Sequence, residues 1–157
     1  MSILLLGIGN PCMGDDGIGP RTVQYLQFEK HLPPQVTIVD GGMLGLGLLP
    51  YLEGVEKLVV VDAVRRGQPP GTIVRLTGEE VPRVIAPKLS MNEAGLSDLL
   101  AAAELLDMLP PEVVLWGMEP AVLDFGENFS PPVAARIDTL QKYVLTELVK
   151  AATDNTL

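Results

Sequence analysis

Residues 3–19 read ILLLGIGNPCMGDDGIG, and this stretch decides the fold. Ile3 to Leu6 are four consecutive aliphatics, the pattern of a strand covered on both faces, so a first strand is expected over about 3–8. Gly7 and Gly9 let the backbone turn sharply where that strand stops. Pro20 carries the fixed φ of a first helical turn, with Gly19 as its N-cap, which predicts a helix over about 19–31. Asp15 and Asp16 therefore fall between a strand's carboxyl end and a helix's amino end, where open α/β sheets place their ligands.

Working outward, apolar runs and breakers alternate. A second strand is expected at about 36–39 and a short helix at about 46–53. KLVVVD at 57–62 is a buried-strand signal second only to the first, and TIVRL follows at 72–76. The turn-rich AVRRGQPPG at 63–71 is too short for a crossover helix, so the fourth strand should run antiparallel to its neighbour or lie at an edge. Leu96, Leu99, Leu100, Ala103 and Leu106 share one face of a helix over 92–109, and a fifth strand follows at 113–116. Ser130 and Pro131 open a last helix whose Val133, Ile137, Leu140, Val144 and Leu148 recur at helical spacing. The expected architecture is α/β: a three-layer α/β/α sandwich around a five-stranded, mostly parallel twisted sheet with one antiparallel strand.

The 157 residues fit one domain over 1–157, long enough for a substantial core. Hydrophobic residues make up 47% and mean hydropathy is +0.30, which excludes a disordered chain. The aliphatic runs are too short to cross a bilayer, so no membrane insertion is expected. The N-terminus lacks a basic segment and a small-residue cleavage site, and a cytoplasmic protein is expected. Eleven basic against twenty acidic residues give a net charge of −9 with no cationic stripe, which argues against a nucleic-acid partner. Cys12 is the sole cysteine, so no internal disulfide and no multi-cysteine metal site can form.

Three strand ends carry an acid or lie beside one: Asp16 after the first, Asp40 after the second, Asp62 after the third. If the third strand flanks the first on the side opposite the second, the loops bearing Asp16 and Asp62 border one crevice. Two carboxylates there can hold a divalent cation, activate water, or shift each other's pKa. An aspartate in such a place can also merely cap a turn, the plainer reading for Asp40 ahead of Gly41 and Gly42. Asp15 reads as a solvated neighbour. A nucleotide-binding alternative rests on Gly7-Ile8-Gly9 after a strand, but Cys12 occupies the third glycine's place and two carboxylates would repel a pyrophosphate. Cys12 with His31 as base makes a poor nucleophilic pair, because a helix separates them.

GIGNPCMGDDGIGP, then VDGG at 39–42, VVVDA at 59–63 and GMEP at 117–120, resemble the hydrogenase maturation endopeptidases collinearly over nearly the whole chain. The resemblance implies a five-stranded sheet between helices. It further implies an enzyme that removes the C-terminal extension from the large-subunit precursor of nickel-iron hydrogenase once nickel has been inserted, the nickel being supplied by the substrate. By the same resemblance Asp16 and Asp62 match two metal contacts and would be the catalytic pair. The family's histidine before G-L-x-D-x-L is replaced here by Asn92, followed by Glu93, in SMNEAGLSDLL at 90–100. An amide oxygen is a weaker nickel ligand than imidazole. Three readings stand: Asn92 orients substrate while Asp16, Asp62 and substrate thiolates hold the metal; Glu93 supplies the third contact; or the chain binds the precursor without cutting it. As a helix N-cap, Asn92 would have a purely structural role. Gly41, Gly42, Gly45 and Gly47 would let an extended substrate peptide approach closely, or serve only as flexible backbone.

Overall fold

Each aliphatic run becomes a strand and the runs order themselves into one sheet. The computed structural model describes residues 1–42, 44–81 and 91–153, with the side chains of 91–94 outside that description. The strands are β1 (Ile3–Ile8), β2 (Val36–Gly42), β3 (Lys57–Ala63), β4 (Ile73–Thr77) and β5 (Glu112–Met118). The helices are α1 (Ile18–Leu26), α2 (Met91–Leu105), α3 (Pro131–Ala134) and α4 (Ile137–Thr153). Spatial order in the sheet is β2, β1, β3, β5, β4, with β4 antiparallel to β5 and the other pairs parallel. The fourth strand is thus both antiparallel and at an edge, but it pairs with β5, not β3, because the short 64–72 connection steps past the position that β5 fills.

Strand alternation sorts the core into two halves. Leu4, Leu6, Leu58, Val60, Val113 and Leu115 face α2 and the 3₁₀ segment Gly45–Leu52. Ile3, Leu5, Val59 and Val61 face the other way, packing with Val23 and Leu26 of α1 and Leu140, Val144 and Leu148 of α4. The result is the expected three-layer sandwich. Each such side chain contributes about 1.5–3 kcal/mol through burial.

Several boundaries differ from the sequence reading. Helix α1 stops at Leu26, short of 31: the N–H groups of Phe28 and Glu29 turn back to the carbonyls of Tyr25 and Leu26, and Phe28 points to solvent. The segment expected as a helix at 46–53 is a 3₁₀ run, since Pro50 cannot donate an α-helical bond. Helix α2 ends at Leu105, where Asp107 adopts φ 58° and the Met108 N–H closes onto the Ala103 carbonyl; Leu106 is consequently exposed instead of facing the core. The last helix breaks into α3 and α4, the chain tightening as the Arg136 N–H bonds to the Val133 carbonyl.

One contact places α1 relative to the sheet. A Cβ on Gly19 would strike the Ile8 carbonyl and sit 2.5 Å from the Val61 carbonyl, and one on Gly7 would strike Val23 and lie 2.7 Å from the Gly19 carbonyl. With both side chains absent, the start of α1 rests directly on the carboxyl ends of β1 and β3.

Candidate functional site

The loop after β1 is short and internally tied. The Asn10 side-chain oxygen accepts the Cys12 N–H at 2.9 Å, and Asp16 Oδ2 accepts the Asn10 N–H at 3.0 Å. Residues Gly14–Gly17 form a 3₁₀ turn that runs straight into α1, so Gly17 is the N-cap instead of Gly19, and Pro20 still falls in the first turn. That turn packs against β3. Asp62 is the penultimate residue of β3, almost fully buried and in register with Gly117 of β5. The crossing of α1 over β1 and β3 thus places the Asp16 turn against the strand that carries Asp62. Half-buried Asp16 has its pKa raised by burial, which the Asn10 hydrogen bond only partly offsets.

Asp15 corrects the sequence reading. It is fully buried, not solvated. Its Oδ2 accepts the N–H groups of Ala121 (2.8 Å) and Val122 (3.0 Å) and the Ser130 hydroxyl (2.7 Å), while Oδ1 accepts the Ser130 N–H (2.8 Å). Burial alone would raise its pKa, but these hydrogen bonds outweigh burial and hold it below the usual aspartate value. Backbone bonds join the same two loops: Asp15 N–H to the Val122 carbonyl, Gly14 N–H to the Gly126 carbonyl, and Gly126 N–H to the Cys12 carbonyl. Gly14 itself stands at φ 61° with the Val122 carbonyl 2.7 Å from where a Cβ would be, so the seam admits no side chain there. Because the carboxylate's four donors come from residues more than a hundred positions away, no local pattern announces the contact.

Glu119 of GMEP is a second organising acid that the sequence reading left without a role. Buried, it accepts the N–H groups of Arg66 (2.8 Å) and Gln68 (3.0 Å) through Oε1, while the Gly71 N–H bonds to its carbonyl and its own N–H to the Thr72 carbonyl. It therefore shapes the loop that follows Asp62. The acid inside GMEP was the available signal.

The remaining candidates are placed as follows. Asp40 is exposed on edge strand β2, opposite Gly7. Gly41 is buried, where a Cβ would press 2.9 Å from the Cδ1 methyls of Leu6 and Leu48 and 3.0 Å from the Gly7 carbonyl, so a side chain there would require those leucines to shift. Gly42 has φ 52° with open space around its Cα, and its carbonyl accepts the Gly9 N–H at 3.0 Å. Asn92 and Glu93 belong to the first turn of α2, but their side chains lie outside the described residues. The helix reaches the segment beyond β2 through Gly95, whose Cβ position lies 3.8 Å from Gly45 Cα. Among the described residues no three His, Cys, Asp or Glu side chains converge on a point that could hold a metal ion. Exposed Cys12 precedes α1, whereas His31 follows Leu26 by five residues instead of sitting in the last helical turn; the nine-residue helix between them spans about 13 Å.

A mostly parallel sheet, with Asp62 near the carboxyl end of β3 and the Asp16 turn packed against that strand, defines an α/β protein with two acids at the edge where such folds place ligands. Residues 20–147 match the hydrogenase maturation protease family (HycI), and the chain belongs to that family. It is 41% identical over 138 residues to the hydrogenase expression/formation protein HupD of Rhodobacter capsulatus, covering 87% of this chain and 66% of that protein. To the hydrogenase 2 maturation protease of Escherichia coli it is 36% identical over 149 residues, 94% of this chain and 91% of the relative. The solved hydrogenase maturating endopeptidase HybD from Escherichia coli superposes with a TM-score of 0.88 at 35% identity, covering 96% of this chain and 94% of the other. Among the described residues no helix is long and apolar enough to cross a membrane.

Proposed function

We propose that this chain is an endopeptidase that removes the C-terminal extension of a nickel-iron hydrogenase large-subunit precursor after nickel insertion, recognising the nickel that the substrate carries. Family membership supports proteolytic processing, and one observation carries the site: the Asp16 turn packs against the strand bearing Asp62, at the carboxyl rim of the sheet. Two carboxylates attract a divalent cation and supply part of its ligand set, which substrate thiolates complete. Nickel enters as cargo of the substrate. Held between protein and precursor, it would position the scissile peptide and polarise its carbonyl or a water, so that cleavage is confined to loaded precursor. Open space at Gly42 lets an extended peptide run past the rim. At Asn92 and Glu93 the alternatives divide cleanly: loss of cleavage in Asn92→Ala assigns orientation to the amide, loss in Glu93→Gln assigns the third contact to the carboxylate.

Incubation of the protein with nickel-loaded and nickel-free precursor, followed by intact mass, tests the reading. Cleavage of the loaded form alone is expected, with Asp16→Asn and Asp62→Asn each slowing it at least about 100-fold, the scale on which electrostatic contacts to a reacting centre act. Intact loaded precursor within a demonstrated complex would identify a noncatalytic binding protein instead.

A further inference from the structure

We propose that Asp15 is a positioning residue for the reaction, aiming the Asp16 carboxylate by locking the turn that carries both onto the 119–130 loop. The inference rests on the reading of Asp16 as a contact to the substrate's metal. The turn Gly14–Gly17 has the sequence GDDG, so only two side chains project from it. In a 3₁₀ turn, with three residues per revolution, consecutive side chains diverge by about 120°. Anchoring one of them therefore sets the direction of the other. Asp15 is the anchored one, fully buried among the Ala121, Val122 and Ser130 N–H groups and the Ser130 hydroxyl. Asp16 is the presented one, half-buried and met by the Asn10 N–H at 3.0 Å. Backbone bonds from Gly14 to Gly126 and from Asp15 to Val122 dock the turn on that loop, and the four bonds to the Asp15 carboxylate fix its orientation there.

Ser130 has the position of an N-cap for α3, yet its hydroxyl makes no cap bond and points to Asp15 instead. A residue in a helix-capping position has thus been turned toward the turn that carries Asp16. The seam also has a designed fit for a charged acceptor: four donors converge on two oxygens, so the amide of Asp15→Asn would aim its own N–H groups at one of them. That variant keeps the shape and reverses one contact, which makes it a probe of direction more than of bulk.

The test compares the full-length protein with Asp15→Asn, Ser130→Ala and Asp16→Asn, reading the Asn10 amide resonance by NMR and kcat and KM on nickel-loaded precursor per folded molecule. In Asp15→Asn the Asn10 resonance is expected to move toward its position in Asp16→Asn. Its kcat is expected to fall on the order of 10- to 100-fold with KM within about twofold, the cost of a misaimed group in a formed site. Ser130→Ala should move both readouts in the same direction by less; since it leaves the three N–H contacts, it decides the matter if Asp15→Asn fails to fold. An unmoved Asn10 resonance with wild-type kcat, whatever the melting temperature, overturns the proposal. If the unmodified protein leaves loaded precursor intact, the peptidase reading fails by itself, and the Asn10 amide still reports whether Asp15 aims Asp16.

Discussion

Asp15 and Glu147 are both acids drawn into the protein, at two regions of the sheet, and they are stabilised by opposite means. Glu147, on α4, takes Lys57 Nζ at 2.9 Å, Arg75 Nε at 2.6 Å and the Trp116 indole N–H at 3.1 Å, so its charge is balanced by cations. Asp15 is held by backbone N–H groups and one hydroxyl, all neutral. The difference matters for the rim. If Asp16 contacts the substrate's metal as proposed, a cationic partner for Asp15 would place positive charge beside it and repel that metal, whereas neutral dipoles satisfy the buried carboxylate without adding charge. The far flank has no such constraint and uses ion pairs.

The contrast can be broken most severely at Glu147. Glu147→Ala leaves Lys57 buried with only the more distant Glu112 at 3.7 Å, and a loss of about 3–5 kcal/mol in chemical denaturation is expected. Gly19→Ala is expected to cost about 1–3 kcal/mol or more, since its Cβ meets the backbone carbonyls of Ile8 and Val61, which cannot rotate away. Acid titration sharpens the comparison. Burial would raise the Glu147 pKa, but hydrogen bonds and charge from Arg75 and Lys57 bring it from 4.5 to about 2. A depressed folded pKa means stability that is complete above the unfolded value and drains away as pH falls from about 4.5 toward 2, and Glu147→Gln should flatten that part of the melting-temperature profile. Asp16 has the opposite sign. Its raised pKa means that its ionised form costs stability at neutral pH, a cost relieved as pH falls through that value, so Asp16→Asn should melt slightly higher while cleavage is lost. The smallest effect is expected at Phe125, 86% exposed at the rim loop: Phe125→Ser should change stability by less than about 0.5 kcal/mol.

Much of this was legible along the chain. Runs such as Ile3–Leu6 and Leu58–Val61 carry their own burial signal, and the short link after β3 excluded a parallel crossover. Asp16 and Asp62 stood out because strand ends are marked locally. Helix ends were less legible: Leu106 fits the apolar phase of α2, but the turn at Asp107 removes it from the core, a choice made by Met108 and the half-buried Leu109 packing back on the sheet instead.

The sequence by itself determined the layers and the family, because alternating aliphatic runs, glycine turns and strand-end acids are local features with strong energetic consequences. Tertiary structure alone decided that β5 would come between β3 and β4, that Gly19 would seat α1 on two strand ends, and that the two adjacent aspartates would part ways. In the sequence Asp15 and Asp16 are chemically identical neighbours. Only the arrival of Ala121, Val122 and Ser130 from the far end of the chain gives one of them four hydrogen bonds and full burial, while the other stays half-buried and accepts the Asn10 N–H within its own loop.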